Sequence, residues 1–152
     1  MVKVKVGDDI VLHNLKVRVR FDYKGTRMGR LFGGKSVEQV AEEVREEKVA
    51  LLRNVPVQGV TIEDIEMSND VYTVTDEFTG QPVAFAPVTI TFSADSLDDA
   101  IRFAMKEEFR KVEVLEPEQA FLNRFDIERL LFAINEQLKE FKVYLERKFE
   151  KG

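Results

Sequence analysis

The chain has 152 residues, of which 44% are hydrophobic and 34% are charged, with a formal net charge of −5. This length and apolar content predict one domain over residues 1–152. The absence of Cys excludes disulfides and thiolate metal sites, and the single histidine, His13, excludes sites built on several histidines. No apolar run has the length of a membrane-spanning helix, and the first six residues alternate like a strand, which is unlike a signal peptide. We therefore expect a cytoplasmic protein without a membrane partner.

Basic residues are concentrated at the start of the chain. Residues 1–35 carry nine Lys/Arg against three Asp, a net charge of +6, and the other 117 residues carry 14 basic against 25 acidic residues, a net charge of −11. Such asymmetry can mark a nucleic-acid-binding segment, for which Arg18 and Arg20 are the candidate residues. The alternative, which the acidic remainder favours, is that this basic strand pairs with acidic neighbours of its own chain.

The first predicted elements are a strand and a helix. Apolar and basic residues alternate over 15–23, which predicts a strand with one buried face. After a loop rich in Gly and Arg, apolar residues at helical spacing predict a helix over 37–53, where Ser36 and Gln39 form a capping box. The next apolar run, 62–67, predicts a second strand.

The middle of the chain predicts a hairpin followed by a second helix. Two apolar runs, 71–75 and 83–92, flank a turn-rich segment, and Pro87 indicates an edge position or a bulge in the second run. Ser96 is placed to cap a helix over 97–109, and a closing strand begins at Val112. This order predicts an α+β fold, a ferredoxin-like β-α-β-β-α-β sandwich with an extra N-terminal strand and a long C-terminal helix.

The C-terminal segment, 118–150, is expected to form a helical extension. Its apolar residues alternate spacings of four and three, in the order Ile127, Leu131, Ile134, Leu138, Phe141 and Leu145. One interpretation is a helix that covers the otherwise bare face of its own sheet. The other is that the helix extends into a partner subunit, which predicts a homodimer with Ile134, Leu138, Phe141 and Leu145 in the interface.

The segment 29–36 matches the phosphate-loop pattern G-x-x-x-x-G-K-[ST]. A nucleotide-binding loop follows a fully buried parallel strand directly, whereas the preceding strand here is amphipathic and five residues intervene. The pattern also fits a site for any phosphate-bearing ligand, because Gly N–H groups, basic side chains and a helix N-terminus all favour anions. The candidate anion-binding residues are Arg27, Arg30, Gly33, Gly34, Lys35 and Ser36.

Other catalytic groupings are weak in this sequence. The serines at 36, 93 and 96 occupy positions typical of helix caps, and the acidic clusters are typical of a helix first turn or a solvated strand face. We therefore predict no catalytic residue, no metal and no cofactor. The first hypothesis is a non-enzymatic interaction or assembly module. The second is anion or nucleic-acid binding through loop 24–36, and the third is a nucleotide-binding enzyme that uses the G-x-x-x-x-G-K-S match.

Overall fold

A computed structural model describes residues 1–27 and 34–150 of the chain. Within these residues the fold is α+β, with three helices and a five-stranded antiparallel sheet. The elements in chain order are β1 (Val2–Val6), β2 (Asp9–His13), β3 (Leu15–Gly25), α1 (Val37–Asn54), β4 (Val60–Glu66), β5 (Tyr72–Thr75), β6 (Pro82–Ala94), α2 (Leu97–Ala104), β7 (Phe109–Glu116) and α3 (Arg124–Glu150).

The large sheet has the strand order β4-β6-β3-β7, and β5 pairs with β6 beyond the end of β4. The long strands β3 and β6 form its centre, with Val19 opposite Ile90. Pro87 lies in this central strand, where it is paired with β3 on one side only. Its other side is a local edge, because β4 pairs with β6 only from residue 89 onward and β5 only up to residue 85. Arg45 of α1 donates to the Pro87 carbonyl at 3.3 Å across this gap.

The N-terminal segment differs from the single extra strand expected. It forms a hairpin of two strands, β1 and β2, which is a separate sheet. Gly7 in the tight turn has a φ of 62°, a conformation that glycine adopts without steric cost. The hairpin is attached to the start of α3, because the Phe121 amide donates to the Lys3 carbonyl at 2.6 Å.

The core lies between one face of the large sheet and the helices α1 and α2. The alternating residues Val17, Val19 and Phe21 face this core, as their spacing predicts. Phe103 of α2 packs against Phe92 of β6, with ring centroids 4.5 Å apart. The opposite face of the sheet, which we call the open face, carries polar residues, among them Lys16, Arg18, Arg20, Thr89 and Thr91.

The starts of α1 and α2 agree with the sequence prediction, but the end of α2 and the start of α3 do not. Ser36 and Gln39 form the predicted capping box, and the Ser96 side chain accepts from the Asp99 amide. The second helix ends at Ala104 instead of residue 109, because Phe109 already pairs with Phe21 in the sheet. The C-terminal helix begins at Arg124 and not at 118, since Phe121, three residues before it, forms an isolated bridge with Lys3 of β1.

Candidate functional site

The inner face of α3 packs mainly on α2. Ala133 is fully buried and Gln137 nearly so. Arg102 of α2 forms an ion pair with Glu136 at 3.7 Å, and the Tyr144 hydroxyl donates to Glu107 at 2.9 Å. The expectation that this helix covers the bare sheet face is therefore wrong. The open face is polar, so burying an apolar helix against it would gain little.

The apolar stripe predicted on α3 lies on a different side of the helix from the face that contacts α2. At 100° per residue, the stripe is centred about 100° around the helix axis from the buried pair Ala133 and Gln137. Leu131 and Leu138 are 62% and 58% exposed. Of the predicted interface residues, Ile134, Leu138 and Phe141 are exposed and Leu145 is half-buried. The helix therefore uses one face within its own chain and leaves a second, more apolar face in contact with solvent.

The exposed stripe continues into a groove beside α2. Met105 and Phe109 line this groove together with Leu138 and Phe141 of α3. Next to it, Val112 of the edge strand β7 is exposed on the helix side of the sheet. This surface is uncovered because α2 ends at Ala104 and, within the sheet, packs mainly on β3, β4 and β6. The sequence alone gave no sign of it, since the predicted second helix was one turn too long.

The candidate anion-binding residues are only partly described. Arg30 and Gly33 lie outside the described residues, as does the rest of 28–33. Arg27, Gly34 and Lys35 are exposed, and the Lys35 ammonium lies 2.7 Å from Glu43.

Ser36 acts as a helix cap, because its hydroxyl accepts from the Gln39 amide at 3.2 Å. The preceding strand β3 is antiparallel to both of its neighbours, in contrast to the parallel strand of nucleotide-binding loops.

The basic residues of the open face are close to acidic ones. Lys16 lies 3.2 Å from Glu63, and Arg18 lies 3.6 Å from Glu113. Arg20 donates to Asp22 at 2.8 Å. These pairs are the arrangement expected if the basic strand is neutralised within its own chain. They reduce the positive potential that a nucleic acid would meet on this face.

One buried carboxylate was missed by the sequence analysis. Asp22 is 2% exposed and accepts from Arg20 and from the Tyr72 hydroxyl, the latter at 2.5 Å, while Arg110 lies 3.4 Å away. Partial burial and the bond to Asp22 raise the pKa of Tyr72. The hydrogen bond to Asp22 is the main cause that raises the pKa of Arg20. Because the polar groups of this cluster are hydrogen-bonded or ion-paired with one another, we assign it a structural role. The only indication in the sequence is that Asp22 is an acidic residue at a position of β3 that alternation places on the same, outward face as the basic residues.

The described residues contain no group of three His, Asp or Glu side chains arranged to hold a metal ion. No helix among them has both the length and the apolarity needed to cross a membrane. Comparisons with protein-family models, with curated proteins and with solved structures find no significant match to this chain.

Proposed function

We propose that this protein is a non-enzymatic interaction and assembly module that forms a homodimer through α3. The observation that carries the proposal is the exposed stripe on a helix whose inner face is already packed against α2. An apolar surface of this extent on a soluble domain is typical of a protein interface. Two-fold pairing is the commonest closed arrangement of identical chains. The residues of α3 include six acidic and six basic side chains, so there is no net charge to oppose the pairing.

The experiment is to measure the mass of the chain by size exclusion coupled to light scattering. We expect about twice the mass of one chain for the wild type. Replacing Leu131 and Leu138 by Glu should give the monomer, since each dimer would then bury four carboxylates. The matched control is Phe132→Glu with Val143→Glu. These side chains are also exposed, at 66% and 44%, but they lie on the other side of the same helix. A wild-type monomer at tens of micromolar, or equal effects of the two double variants, would contradict the proposal.

For the fold we propose the ferredoxin-like sandwich within a single domain. The support is the order of β3, α1, β4, β6, α2 and β7, which is the β-α-β-β-α-β order of that fold, with β5 as an additional strand. A cytoplasmic location remains part of the proposal, supported by the absence of Cys.

The second candidate function is binding of a phosphate-bearing ligand or nucleic acid by loop 24–36. The supporting observation is that Arg27 and Lys35 are exposed and that Lys35 lies two residues before the N-terminus of α1, where backbone N–H groups favour anions. Single-stranded RNA and inorganic phosphate are suitable probes. Binding should weaken steeply with added salt and be lost in the Arg27→Ala, Lys35→Ala double variant. Absent or salt-independent binding would remove this candidate. A nucleotide-binding enzyme ranks third, and we expect no thermal stabilisation of the chain by ATP with Mg²⁺.

A further inference from the structure

We propose that the two α3 helices of the dimer run antiparallel, with the two-fold axis close to Asn135. This inference rests on the proposed homodimer and specifies how the second copy is oriented. It depends on which residues flank the stripe and on what those flanks already contact.

The apolar stripe itself is compatible with either direction. In an antiparallel pair centred at position 136, Ile127 meets the partner's Leu145. The next layers pair Leu131 with Phe141 and Ile134 with Leu138. In a parallel pair each residue meets its own copy. Because both arrangements bury apolar side chains against each other, only the residues that flank the stripe distinguish the parallel from the antiparallel pair.

The flank of the stripe nearer to the domain is already used. It consists of Leu130, Gln137 and Tyr144, which are spaced by seven residues. Leu130 is half-buried, Gln137 is nearly buried and Tyr144 bonds to Glu107. In a parallel pair this flank would lie against the opposite flank of the partner helix. In an antiparallel pair this flank would lie against the same flank of the partner helix. The opposite flank would then also lie against the same flank of the partner helix.

The opposite flank has complementary charges for the antiparallel arrangement only. It consists of Glu128, Asn135 and Lys142, again spaced by seven residues, and all three are exposed. Within the described residues, Glu128 and Lys142 form no ion pair with their own chain. An antiparallel pair brings Glu128 next to the partner's Lys142, and symmetry repeats this contact. Asn135 then meets its own copy. A parallel pair would place these charges beside Leu130, Gln137 and Tyr144, which are uncharged.

The antiparallel axis also accounts for the groove beside α2. It keeps both domains on the same side of the helix pair, because the domain-facing flanks of the two helices are adjacent. The exposed Met105 and Phe109 line the groove on the stripe side of α3, so they face the second copy. The surface that α2 leaves uncovered becomes part of the same interface.

Cysteine cross-linking tests the direction, because the chain has no Cys of its own. The variants are Ile127→Cys and Leu145→Cys, which are oxidised separately and as a mixture. Residues 127 and 145 are roughly 27 Å apart along the helix, and a disulfide needs Cα atoms within about 7 Å. Antiparallel helices should cross-link in the mixture and not in either variant alone. Cross-linking of each variant with itself, in a chain that light scattering shows to be a dimer, would overturn the direction but keep the homodimer. A monomer by light scattering would overturn both.

Charge reversal gives a second readout. Glu128→Lys and Lys142→Glu should each weaken dimerisation roughly five- to tenfold, because two attractive pairs become repulsive, and mixing the two variants should restore it through a heterodimer. The matched control is Lys139→Glu, an equal charge change outside this flank, which should change the dissociation constant less than twofold. Equal weakening by Lys139→Glu, or no recovery on mixing, would contradict the antiparallel pairing.

Discussion

Truncation of Leu138 gives the most direct quantitative test of the interface. The side chain is 58% exposed in the single chain, so a dimer can bury about half of its surface. Full burial of a Leu side chain contributes about 2 kcal/mol, and the exposed part therefore contributes about 1 kcal/mol in each subunit. Two copies give about 2 kcal/mol per dimer, which corresponds to a roughly 30-fold higher Kd for Leu138→Ala. Sedimentation equilibrium over a range of protein concentrations measures this change.

The same variant should leave the folded subunit nearly intact. Because Leu138 makes few contacts with its own chain, urea unfolding of the Leu138→Ala monomer should differ from that of a monomeric reference, such as the double Glu variant, by less than about 1 kcal/mol. Ala133→Leu is the contrasting change, since Ala133 is fully buried against α2 and a larger side chain there should destabilise the subunit by about 1–3 kcal/mol. An unchanged Kd in Leu138→Ala would refute the reasoning. So would a loss of subunit stability as large as that of Ala133→Leu.

Two further predictions concern the helix caps of α1 and α2 and the packing of β3 against α1. Ser36→Ala and Ser96→Ala should each lower the free energy of unfolding by about 1 kcal/mol through loss of a helix cap, without a change in dimer mass or anion binding. Loss of binding with unchanged stability would identify either serine as a site residue. Gly25→Ala should destabilise by about 1–3 kcal/mol, because the added Cβ would overlap the Ala41 amide nitrogen, whereas Gly34→Ala, whose added Cβ would have no atom of the described residues within 4 Å, should be nearly neutral. Similar urea midpoints for both glycine variants would contradict this packing.

Local patterns in the sequence were sufficient for most elements of the fold. The alternation over 15–23 is visible because one face of β3 is apolar and the other charged, and the Ser36 capping box requires only residues three apart. The predicted end of α2 lies five residues too far along the chain, because the helix is limited by a contact distant in sequence, the pairing of Phe109 with Phe21. The sequence predicts one N-terminal strand where the structure has the β1–β2 hairpin, because the tight turn at Gly7 is short.

The residues of the candidate interface could be predicted from the sequence, but not whether they contact their own chain or a partner. The spacing of Ile134, Leu138 and Phe141 shows that they share a face of the helix, yet the same spacing suits burial against the chain itself. Only the position of Ala133 against α2 shows that another face is used internally. Asp22 illustrates the converse difficulty. It shares strand parity with the more exposed Arg20, and its burial depends on Tyr72, fifty residues away.

The cluster around Asp22 predicts a specific loss of stability in alkaline solution. The pKa of Tyr72 is raised from its ordinary value of 10.0, first by burial and then by the hydrogen bond to Asp22, so the native state favours the protonated phenol. Above about pH 10 the unfolded chain releases this proton more readily than the native chain does. The contribution of Tyr72 to the free energy of unfolding is therefore fully present below about pH 10. It is lost as the pH rises through the raised pKa that Tyr72 has in the native state. The comparison is urea unfolding of the wild type and of Tyr72→Phe from about pH 8 to about pH 11. Tyr23, whose pKa is also raised by burial, is retained in both chains and cancels. The wild type should lose stability more steeply than the variant, and parallel curves would show that Tyr72 does not depend on its contact with Asp22.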